Sequence, residues 1–347
     1  MIDSHRSSPF IELAAVEAWD AWFRWREQGD LRDLSIEDTW RRVAVAMASV
    51  ESLGDVATWQ SQFMRALSSW RLLPDAEVLA NAGTGRPLLH DDTLHAALNA
   101  ACFVPVDPAA VSAPDLAGLS DCATLAVRML DNAALLAGVA SPRLRIGIIG
   151  IADALALMGV GYDSDAGRAQ AASMAKALAT GCLRGSIILA VERGPCSDGD
   201  ARAAIERAES RGMPADLLRA AAGHGLRHAQ LTAITSQPRL ALLANDVADA
   251  ADPLRGENHA NVIAAAGGQR CIRSSGFALD ILRARGAASG TTADAPAAPS
   301  LEARIAMRAA LQPWIDEPIA YPLQATSGAE DSQGGQPGKV ATASGTG

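Results

Sequence analysis

Apolar residues recur every three or four positions through the first seventy residues, a spacing that places them on one face of a helix. Ser35 and Asp38 form a capping-box-like pair ahead of one such apolar stripe. A second stripe runs from Val56 to Leu67. The pattern therefore predicts a helical N-terminal region over residues 1–72.

After this region the pattern changes to short apolar runs between turn residues. Residues 71–92 are predicted to form a loop, and residues 101–106 (ACFVPV) a buried strand that Pro105 would end. A Pro/Ala-rich linker is predicted over residues 107–114. Ser120 is predicted to cap the helix that follows the linker.

The segment LRIGIIGIADALALMGVGYDSDAGRA, residues 144–169, begins with a long apolar run in which only Arg145 and Asp153 are charged. Four glycines and the central Asp153 disfavour a transmembrane span. The spacing GxGxxG, which would let the backbone approach a pyrophosphate, is missing. We therefore predict a buried strand, residues 145–149, that turns at Gly150 into a helix.

The remaining pattern predicts a long helix that begins after Ser164, a natural N-cap, and ends at residues 194–195 (Gly-Pro). Residues 228–234 and 261–266 are predicted short strands, and residues 302–316 a helix distorted by Pro313. The tail from about residue 327 is rich in Gly, Ser, Gln and Thr, which predicts disorder.

Composition narrows the function classes. A chain of 347 residues can bury one large core or two smaller ones. A net charge of −9 disfavours a general nucleic-acid or membrane binder. The five cysteines are scattered without a CxxC pair, which is typical of a reduced cytoplasmic protein, and the N-terminus lacks the apolar segment of a secretory signal.

Two histidine-containing segments are candidate metal sites. HDDTLH, residues 90–95, offers nitrogen and oxygen ligands but no further ligand at a fixed spacing, so a solvated loop is the simpler interpretation. In HGLRH, residues 224–228, glycines break the helix that would place both histidines on one face. We predict no metal site, and no nucleophile turn indicates a Ser-His-Asp triad.

Seven segments resemble, in the same order, pieces of the ribonucleotide reductase large chain. They are WRRVAVAMASVE, RLLPDAEVLANAGTGRP, NAACFVPV, AVRMLDNAALLA, LRIGIIGIADALALMGVGYDSDAGRA, LRHAQLTAI and MRAALQPWIDEPIA. The N-terminal pieces look closest to the adenosylcobalamin-dependent, diphosphate-reducing branch. The resemblance implies a helix-rich α/β fold: a helical region over 1–72, a reduced reductase barrel over 73–325, and a disordered tail over 326–347.

The resemblance also implies radical chemistry. In the family, a cysteine thiyl on a loop inside a ten-stranded barrel abstracts a ribose hydrogen, with a glutamate and an asparagine beside it. Two further cysteines reduce the ribose by forming a disulfide, which supplies both electrons. Cys102 matches the first of these two reducing cysteines.

The chain departs from this pattern at the radical loop. In the family a long block carries that loop and the partner of the reducing cysteine. Here only about twelve residues lie between Val106 and Leu119, and no segment resembles Asn-Pro-Cys-Gly-Glu. Cys122, on the following predicted helix, is a poor match for the radical cysteine.

The phosphate-binding turn of the family is altered as well. LTAITSQPRLALL replaces a Pro-Thr-Gly-Thr-like turn, so the glycine that permits close backbone approach is missing. Thr235 and Ser236 could still bind an anion, with Arg239 adding positive charge. Thr84 and Arg86 correspond to the substrate-phosphate side of the family and are further candidates.

Two hypotheses follow. The chain is a catalytically incomplete reductase relative, a binding or regulatory module whose partner is a nucleoside diphosphate, a full-length reductase chain or a second copy. Alternatively it is an active, cytoplasmic ribonucleoside-diphosphate reductase that uses adenosylcobalamin. Four predicted strands cannot close a ten-stranded barrel, so we expect an open sheet covered by helices or by a partner chain.

Overall fold

The computed structural model describes residues 9–89, 91–105, 113–140, 142–265, 268–289 and 298–323. The helices are α1 Leu13–Trp22, α2 Ile36–Ala48, α3 Val56–Ser68, α4 Ala76–Asn81, α5 Leu116–Ala137, α6 Ile151–Leu157, α7 Asp165–Arg193, α8 Asp198–Ser210, α9 Ala215–His224, α10 Pro238–Leu243, α11 Phe277–Ser289 and α12 Leu301–Leu311. The strands are β1 Arg26–Glu27, β2 Asp30–Leu31, β3 Leu72–Pro74, β4 Thr93–Asn99, β5 Arg143–Ile149, β6 His259–Ala265 and β7 Gly268–Ser274, and short 3-10 helices span Ala100–Phe103 and Gln312–Trp314.

The N-terminal region is helical, as predicted. The predicted capping box begins α2, where the Asp38 carboxylate accepts from the Ser35 backbone N–H at 3.0 Å. The second apolar stripe forms α3. Trp40 packs edge-on against Trp70, with ring centroids 5.0 Å apart, in the core that α2 and α3 share.

The predicted loop over residues 71–92 is partly wrong, because this segment contains β3 and α4. Leu72 is buried and pairs with Leu98 of β4, so sheet pairing overrides the local turn signals. Asp75 then caps α4 by accepting from the Glu77 N–H at 2.9 Å.

The predicted strand over residues 101–106 is also wrong. The strand β4 lies immediately upstream, and the chain then enters the 3-10 helix Ala100–Phe103. The Asn99 side chain accepts from the Ala101 N–H at 3.2 Å and so ends the strand. An apolar run this short fits either conformation, so periodicity could not place the boundary.

The helix α5 begins earlier than predicted. Asp115, not Ser120, is the cap, because its carboxylate accepts from the Gly118 N–H at 2.8 Å. Ser120 is buried within the helix, which ends at Gly138 with a φ of 72° that suits glycine. Most of the predicted linker, residues 107–112, lies outside the described residues.

The main sheet has three strands in the order β3-β4-β5, with β3 antiparallel and β5 parallel to β4. The predicted strand and its turn at Gly150 are confirmed: β5 ends at Ile149, and Gly150, with a φ of 69°, begins α6. Residues 228–234 contribute one parallel bridge, Ile146 to Thr232, rather than the predicted strand. Gly147 permits this approach, because a Cβ there would lie 2.5 Å from the Ala233 carbonyl oxygen.

The predicted long helix is confirmed as α7, which Ser164 caps by accepting from the Gly167 N–H at 2.9 Å. A Cβ at Gly181 would clash with the Ser120 carbonyl oxygen, so glycine lets α7 pack closely on α5. By length and composition α7 could cross a membrane, but 67% of its apolar window is buried inside the protein. Its hydrophobicity is therefore accounted for by the core.

The C-terminal half adds a separate antiparallel hairpin, β6–β7, so the predicted strand over 261–266 forms outside the main sheet. The distortion predicted at Pro313 is confirmed by the 3-10 helix that follows α12. The fold is thus helix-rich α/β with small, unclosed sheets in the described residues, as predicted. The predicted tail, 326–347, lies outside those residues, and the predicted domain boundaries stay predictions.

Candidate functional site

The carboxyl ends of β4 and β5 lie side by side, because the two strands are parallel and Asn99 is in register with Ile149. Ligands of open α/β sheets bind outside such ends. Cys102 follows β4 in the 3-10 helix, and Asp153 follows β5 in the first turn of α6. A functional site in this fold is therefore expected at this edge.

The chain itself fills this edge. The Asn99 side-chain oxygen occupies the space beside Gly150, where a Cβ would lie 2.6 Å from it. The Gly150 N–H donates to the Ala248 carbonyl at 2.8 Å, and the Ala248 N–H donates to the Asp153 carboxylate at 2.7 Å. Asn99, Asp153 and Ala248 are all buried.

We call residues 245–252 the aspartate loop. Asn245, Asp246 and Ala250 adopt positive φ angles of 64°, 58° and 49°, which residues other than glycine rarely adopt. The loop passes over the edge, and each of its three aspartates holds a different neighbouring element. Asp246 binds the hairpin, Asp249 binds the turn before α10, and Asp252 lies 3.4 Å from Arg308 of α12.

The thiols near the edge are not activated. Burial raises the pKa of the Cys102 thiol to about 12, although Arg71 opposes the shift. Burial also raises the pKa of Cys122, on α5, to about 12. Both thiols are therefore protonated at neutral pH, whereas the thiolate is the nucleophilic form. The structure places Cys102 in the 3-10 helix after β4, and its role as a reducing thiol stays a prediction.

Both oxygens of the Asp153 carboxyl at this edge accept from backbone N–H groups, those of Ala248 and Ala278, at 2.7 and 3.1 Å. Burial raises its pKa to about 6, with Asp246 adding to the shift. Asp153 therefore changes protonation state near neutral pH. In this position it connects α6, the aspartate loop and α11.

Sequence reasoning missed a polar cluster around Asp246. One oxygen of its carboxylate accepts from His259 Nε2 at 2.7 Å, from Asn261 Nδ2 at 3.0 Å, and from the Ser274 hydroxyl. Burial alone would raise the pKa of Asp246, but the bonds from His259 and Ser274 hold it below its ordinary value. No local spacing signals this cluster, because the hairpin brings its members together.

The Asp246 cluster does not have the geometry of a hydrolytic triad. In a triad the histidine uses one nitrogen for the aspartate and the other for the serine. Here His259 Nε2 faces both Asp246 and Ser274, the latter at 3.3 Å, while Nδ1 lies 2.8 Å from the Gly256 carbonyl oxygen. The cluster therefore fixes the base of the hairpin rather than activating the serine.

The predicted phosphate ligands Thr235 and Ser236 lie in the turn before α10. The Ser236 hydroxyl donates to one Asp249 oxygen at 2.5 Å, and the Gln237 N–H donates to the other at 2.7 Å. The Ser236 hydroxyl and the Gln237 N–H are therefore occupied by a carboxylate of the same chain, while the Thr235 hydroxyl oxygen accepts from Gln237 Nε2 at 3.2 Å. Burial raises the pKa of this Asp249.

The other predicted phosphate ligands have different surroundings. Arg239 lies over the Trp22 ring, 5.3 Å from its centroid. The Thr84 hydroxyl donates to the Asn81 carbonyl at 2.7 Å, and Arg86 donates to the Arg26 carbonyl at 3.2 Å. Each of these three side chains already contacts another residue of the chain, and their role in phosphate binding stays a prediction.

A second missed cluster surrounds Asp131 of α5, which is fully buried. Its carboxylate lies 3.0 Å from His228 Nε2 and 3.1 Å from Arg227 Nε, and it also pairs with Arg193 of α7. Burial alone would raise the pKa of Asp131, but His228 and the arginines hold it well below its ordinary value. This cluster ties α5, α7 and residues 227–228 together.

Of the two histidine-containing segments, the structure describes residues 224–228 in full. His224 ends α9, whereas His228 lies beyond it beside Asp131, so the two histidines do not share a helix face. His90 lies outside the described residues. Within the described ranges, no group of three or more His, Cys, Asp or Glu side chains is placed to hold a metal ion.

The fold defines a helix-rich α/β protein in which a helical N-terminal region precedes a partial barrel. Comparison with family models makes this specific. Residues 23–87 match the family "Ribonucleotide reductase, all-alpha domain", and residues 96–255 match "Ribonucleotide reductase, barrel domain". The chain therefore contains regions of both domains of the ribonucleotide reductase large chain. A comparison with curated proteins found no match.

Proposed function

We propose that this chain is a catalytically incomplete relative of the ribonucleotide reductase large chain and acts as a binding or regulatory module. One observation carries the proposal. The carboxyl edge of β4 and β5 is filled by Asn99, Asp153 and the aspartate loop, all from the same chain. In an α/β sheet this edge is where a substrate would be expected.

The connection after β4 supports the same proposal. The 3-10 helix that carries Cys102 ends at Phe103, and α5 begins at Leu116. By resemblance, this is the interval where the family inserts the long block with its radical cysteine. A fold retained without the residues of its site does not imply the activity of the site.

The turn before α10 supports weak phosphate binding at most. A nucleoside diphosphate at Ser236 and Gln237 would have to displace the Asp249 carboxylate, which already accepts from both. Two negative groups at one pair of donors repel each other. Nucleoside diphosphate binding therefore requires either movement of the aspartate loop or a different surface.

Adenosylcobalamin is the cofactor implied by the resemblance to the diphosphate-reducing branch. The edge at which β4 and β5 end does not fit it, because the groups that line this edge are buried against one another. The scattered free cysteines support a reducing, cytoplasmic location.

A turnover assay tests the loss of catalysis. The full chain is incubated with a ribonucleoside diphosphate, adenosylcobalamin and a dithiol, and deoxyribonucleotide is measured by chromatography. We expect none above the level without protein. Robust turnover would support the alternative, an active reductase, and loss of that turnover in Cys122→Ser but not in Cys102→Ser would identify Cys122 as the radical site.

A capture experiment tests the regulatory role. The tagged chain is incubated with an extract of its native cell, and captured proteins are identified by mass spectrometry. We expect recovery of a full-length reductase chain, or of a second copy of this chain. A thermally unfolded sample of the same chain is the control, and recovery of neither partner by the folded chain contradicts a role in assembly.

A further inference from the structure

A half-enclosed cavity of about 290 Å³ lies beside α6, separate from the groups that fill the carboxyl edge. It is lined by Ala152 and Ala156 of α6, by the turn of residues 159–163, by residues 253–254 and by Pro299. An apolar cavity of about 150 Å³ is large enough to hold one benzene molecule. The space beside α6 therefore admits a single aromatic ring together with a short substituent.

The walls of this cavity are mainly apolar and are held in place by the fold. Val160, Tyr162 and Leu254 are half-buried, and each packs against the main hydrophobic core. The Tyr162 hydroxyl donates to the Ala251 carbonyl at 2.6 Å, so the polar end of this side chain is already engaged and its ring is left to line the cavity. Walls of this composition favour an apolar or aromatic ligand over a polar one.

One charged group adds specificity to the cavity. Among the described residues that line it, Asp163 alone is charged, and its carboxylate makes no hydrogen bond or ion pair with another described residue. Arg168 donates to the Asp163 main-chain carbonyl at 2.8 Å, but its guanidinium pairs with the Asp165 carboxylate.

The arginine behind Tyr162 is engaged with a different acid as well, since Arg308 lies 3.4 Å from Asp252. The Asp163 carboxylate is therefore available to a ligand. A carboxylate in this position attracts a cation and repels a phosphate, so a nucleoside diphosphate does not suit this cavity.

We propose that this cavity is a binding site for a small aromatic amine, in which a single ring occupies the apolar space beside Tyr162 and Leu254 and a short chain carries an ammonium group to Asp163. This site does not depend on the function proposed above, because it shares no lining residue with the carboxyl edge and its ligand carries no phosphate. Residues 253–254 directly follow the aspartate loop, so a bound amine would contact the chain where that loop ends.

Titration with three ligands of similar size tests the chemistry of the site. Phenethylamine, 2-phenylethanol and phenylacetate are titrated separately into the full chain, and binding is followed by ligand-observed NMR. We expect phenethylamine to bind with a dissociation constant on the order of 1 mM. The neutral alcohol should bind about fivefold more weakly, the factor typical of a partly exposed ion pair, and the anionic phenylacetate more weakly still.

Two variants locate the binding in this cavity. Asp163→Asn should weaken the binding of phenethylamine about fivefold and leave that of 2-phenylethanol unchanged. Ala156→Leu, which places a larger side chain in the cavity, should weaken the binding of both ligands at least about tenfold. Asp121→Asn is the matched control, since it removes the same charge at an exposed residue outside the cavity and should leave both affinities unchanged.

Far-UV circular dichroism of each variant shows whether it is folded, and Asp163→Asn changes only an exposed side chain. Three results would overturn the proposal: no saturable binding of phenethylamine, equal affinity of the wild type for the amine and the alcohol, or undiminished binding in a folded Ala156→Leu variant.

Discussion

Asp131 and Asp153 are both fully buried carboxylates, yet their surroundings differ in charge. Asp131 contacts Arg193, Arg227 and His228, which come from α7 and from residues 227–228. Asp153 accepts from the backbone N–H groups of Ala248 and Ala278, and the charged group that adds to its pKa shift is another acid, Asp246.

The two residues accordingly have opposite pKa shifts. Burial would raise both pKa values, but at Asp131 the cations reverse the shift, whereas at Asp153 burial prevails and the pKa reaches about 6. Backbone dipoles alone do not offset the cost of burying a charge here, and full positive charges do. Asp131 is therefore ionised under all ordinary conditions, while Asp153 titrates.

The different surroundings of Asp131 and Asp153 correspond to their places in the fold. The Asp131 cluster joins the α5–α7 helix pair to residues 227–228, within the region that matches the barrel domain. Asp153 lies at the carboxyl edge, where the Ala248 N–H of the aspartate loop donates to it. Two arginines whose charge does not depend on pH hold Asp131, whereas at the edge the charge of Asp153 does depend on pH.

The largest expected effect is at Asp131. Asp131→Asn would leave three cationic or polar partners around a neutral amide, and breaking a buried ionic cluster in this way costs about 3–5 kcal/mol of the free energy of unfolding. Urea unfolding at neutral pH measures the change. The comparison fails if the variant is as stable as the wild type.

Asp121→Asn is the control on the same helix. Asp121 pairs with Arg184 at 2.9 Å, but its side chain is 76% exposed. Exposed ion pairs contribute little, so the unfolding midpoint of this variant should match the wild type. A large loss in both variants would show that any acid on α5 is needed, whatever its surroundings.

The helices were predictable because their signals are local. The caps Ser35 and Ser164 and the end of α7 at Gly194 follow from residues within one turn of the boundary. The strand β5 was predictable because its apolar run ends at Gly150, where a positive φ is needed. The start of α5 was not, because Asp115 and Ser120 are both acceptable caps and only the fold selects one.

The clusters were beyond sequence reasoning for a different reason. Asp131 and Arg227 are 96 residues apart, and neither has a neighbour in sequence that indicates a buried ion pair. The short strand β3 depends on its pairing with β4, which no local pattern encodes. Similarly, the occupation of Ser236 by Asp249 became visible only once the aspartate loop was placed.

Asp153 is expected to have a smaller effect on the free energy of unfolding, and the direction of its pH dependence can be predicted. Its folded pKa is raised to about 6, so its contribution to stability is present in acid and is lost as the pH rises through that value. Between about pH 5 and about pH 8 this amounts to roughly 1 kcal/mol. Asp131, with its lowered pKa, loses its contribution only as the pH falls below the ordinary carboxyl range.

Chemical unfolding over this pH interval tests the sign. Asp153→Asn should be less stable than the wild type at every pH, because the NH2 group of its amide faces a backbone N–H and both are donors. The fall in its free energy of unfolding between the two pH values should be smaller than that of the wild type by roughly 1 kcal/mol. Asp163→Asn, at an exposed turn, should keep the wild-type slope. If the free energy of unfolding of the wild type instead rose from about pH 5 to about pH 8, the raised pKa assigned to Asp153 would be wrong.

The smallest effect is expected where a buried polar group has no partner. Ser120 and Thr124 both lie on the face of α5 that packs on α7, but the Thr124 hydroxyl donates across the helices to the Gly181 carbonyl at 2.9 Å. In the described part of the chain, Ser120 Oγ has no hydrogen-bond partner. Ser120→Ala should therefore change the free energy of unfolding by less than about 0.5 kcal/mol, whereas Thr124→Val should cost about 1 kcal/mol. Equal losses in the two variants would mean that burial alone, and not the presence of a hydrogen-bond partner, sets the contribution of a polar group in this interface. That result would contradict the comparison of Asp131 with Asp153, in which the partners decide the outcome.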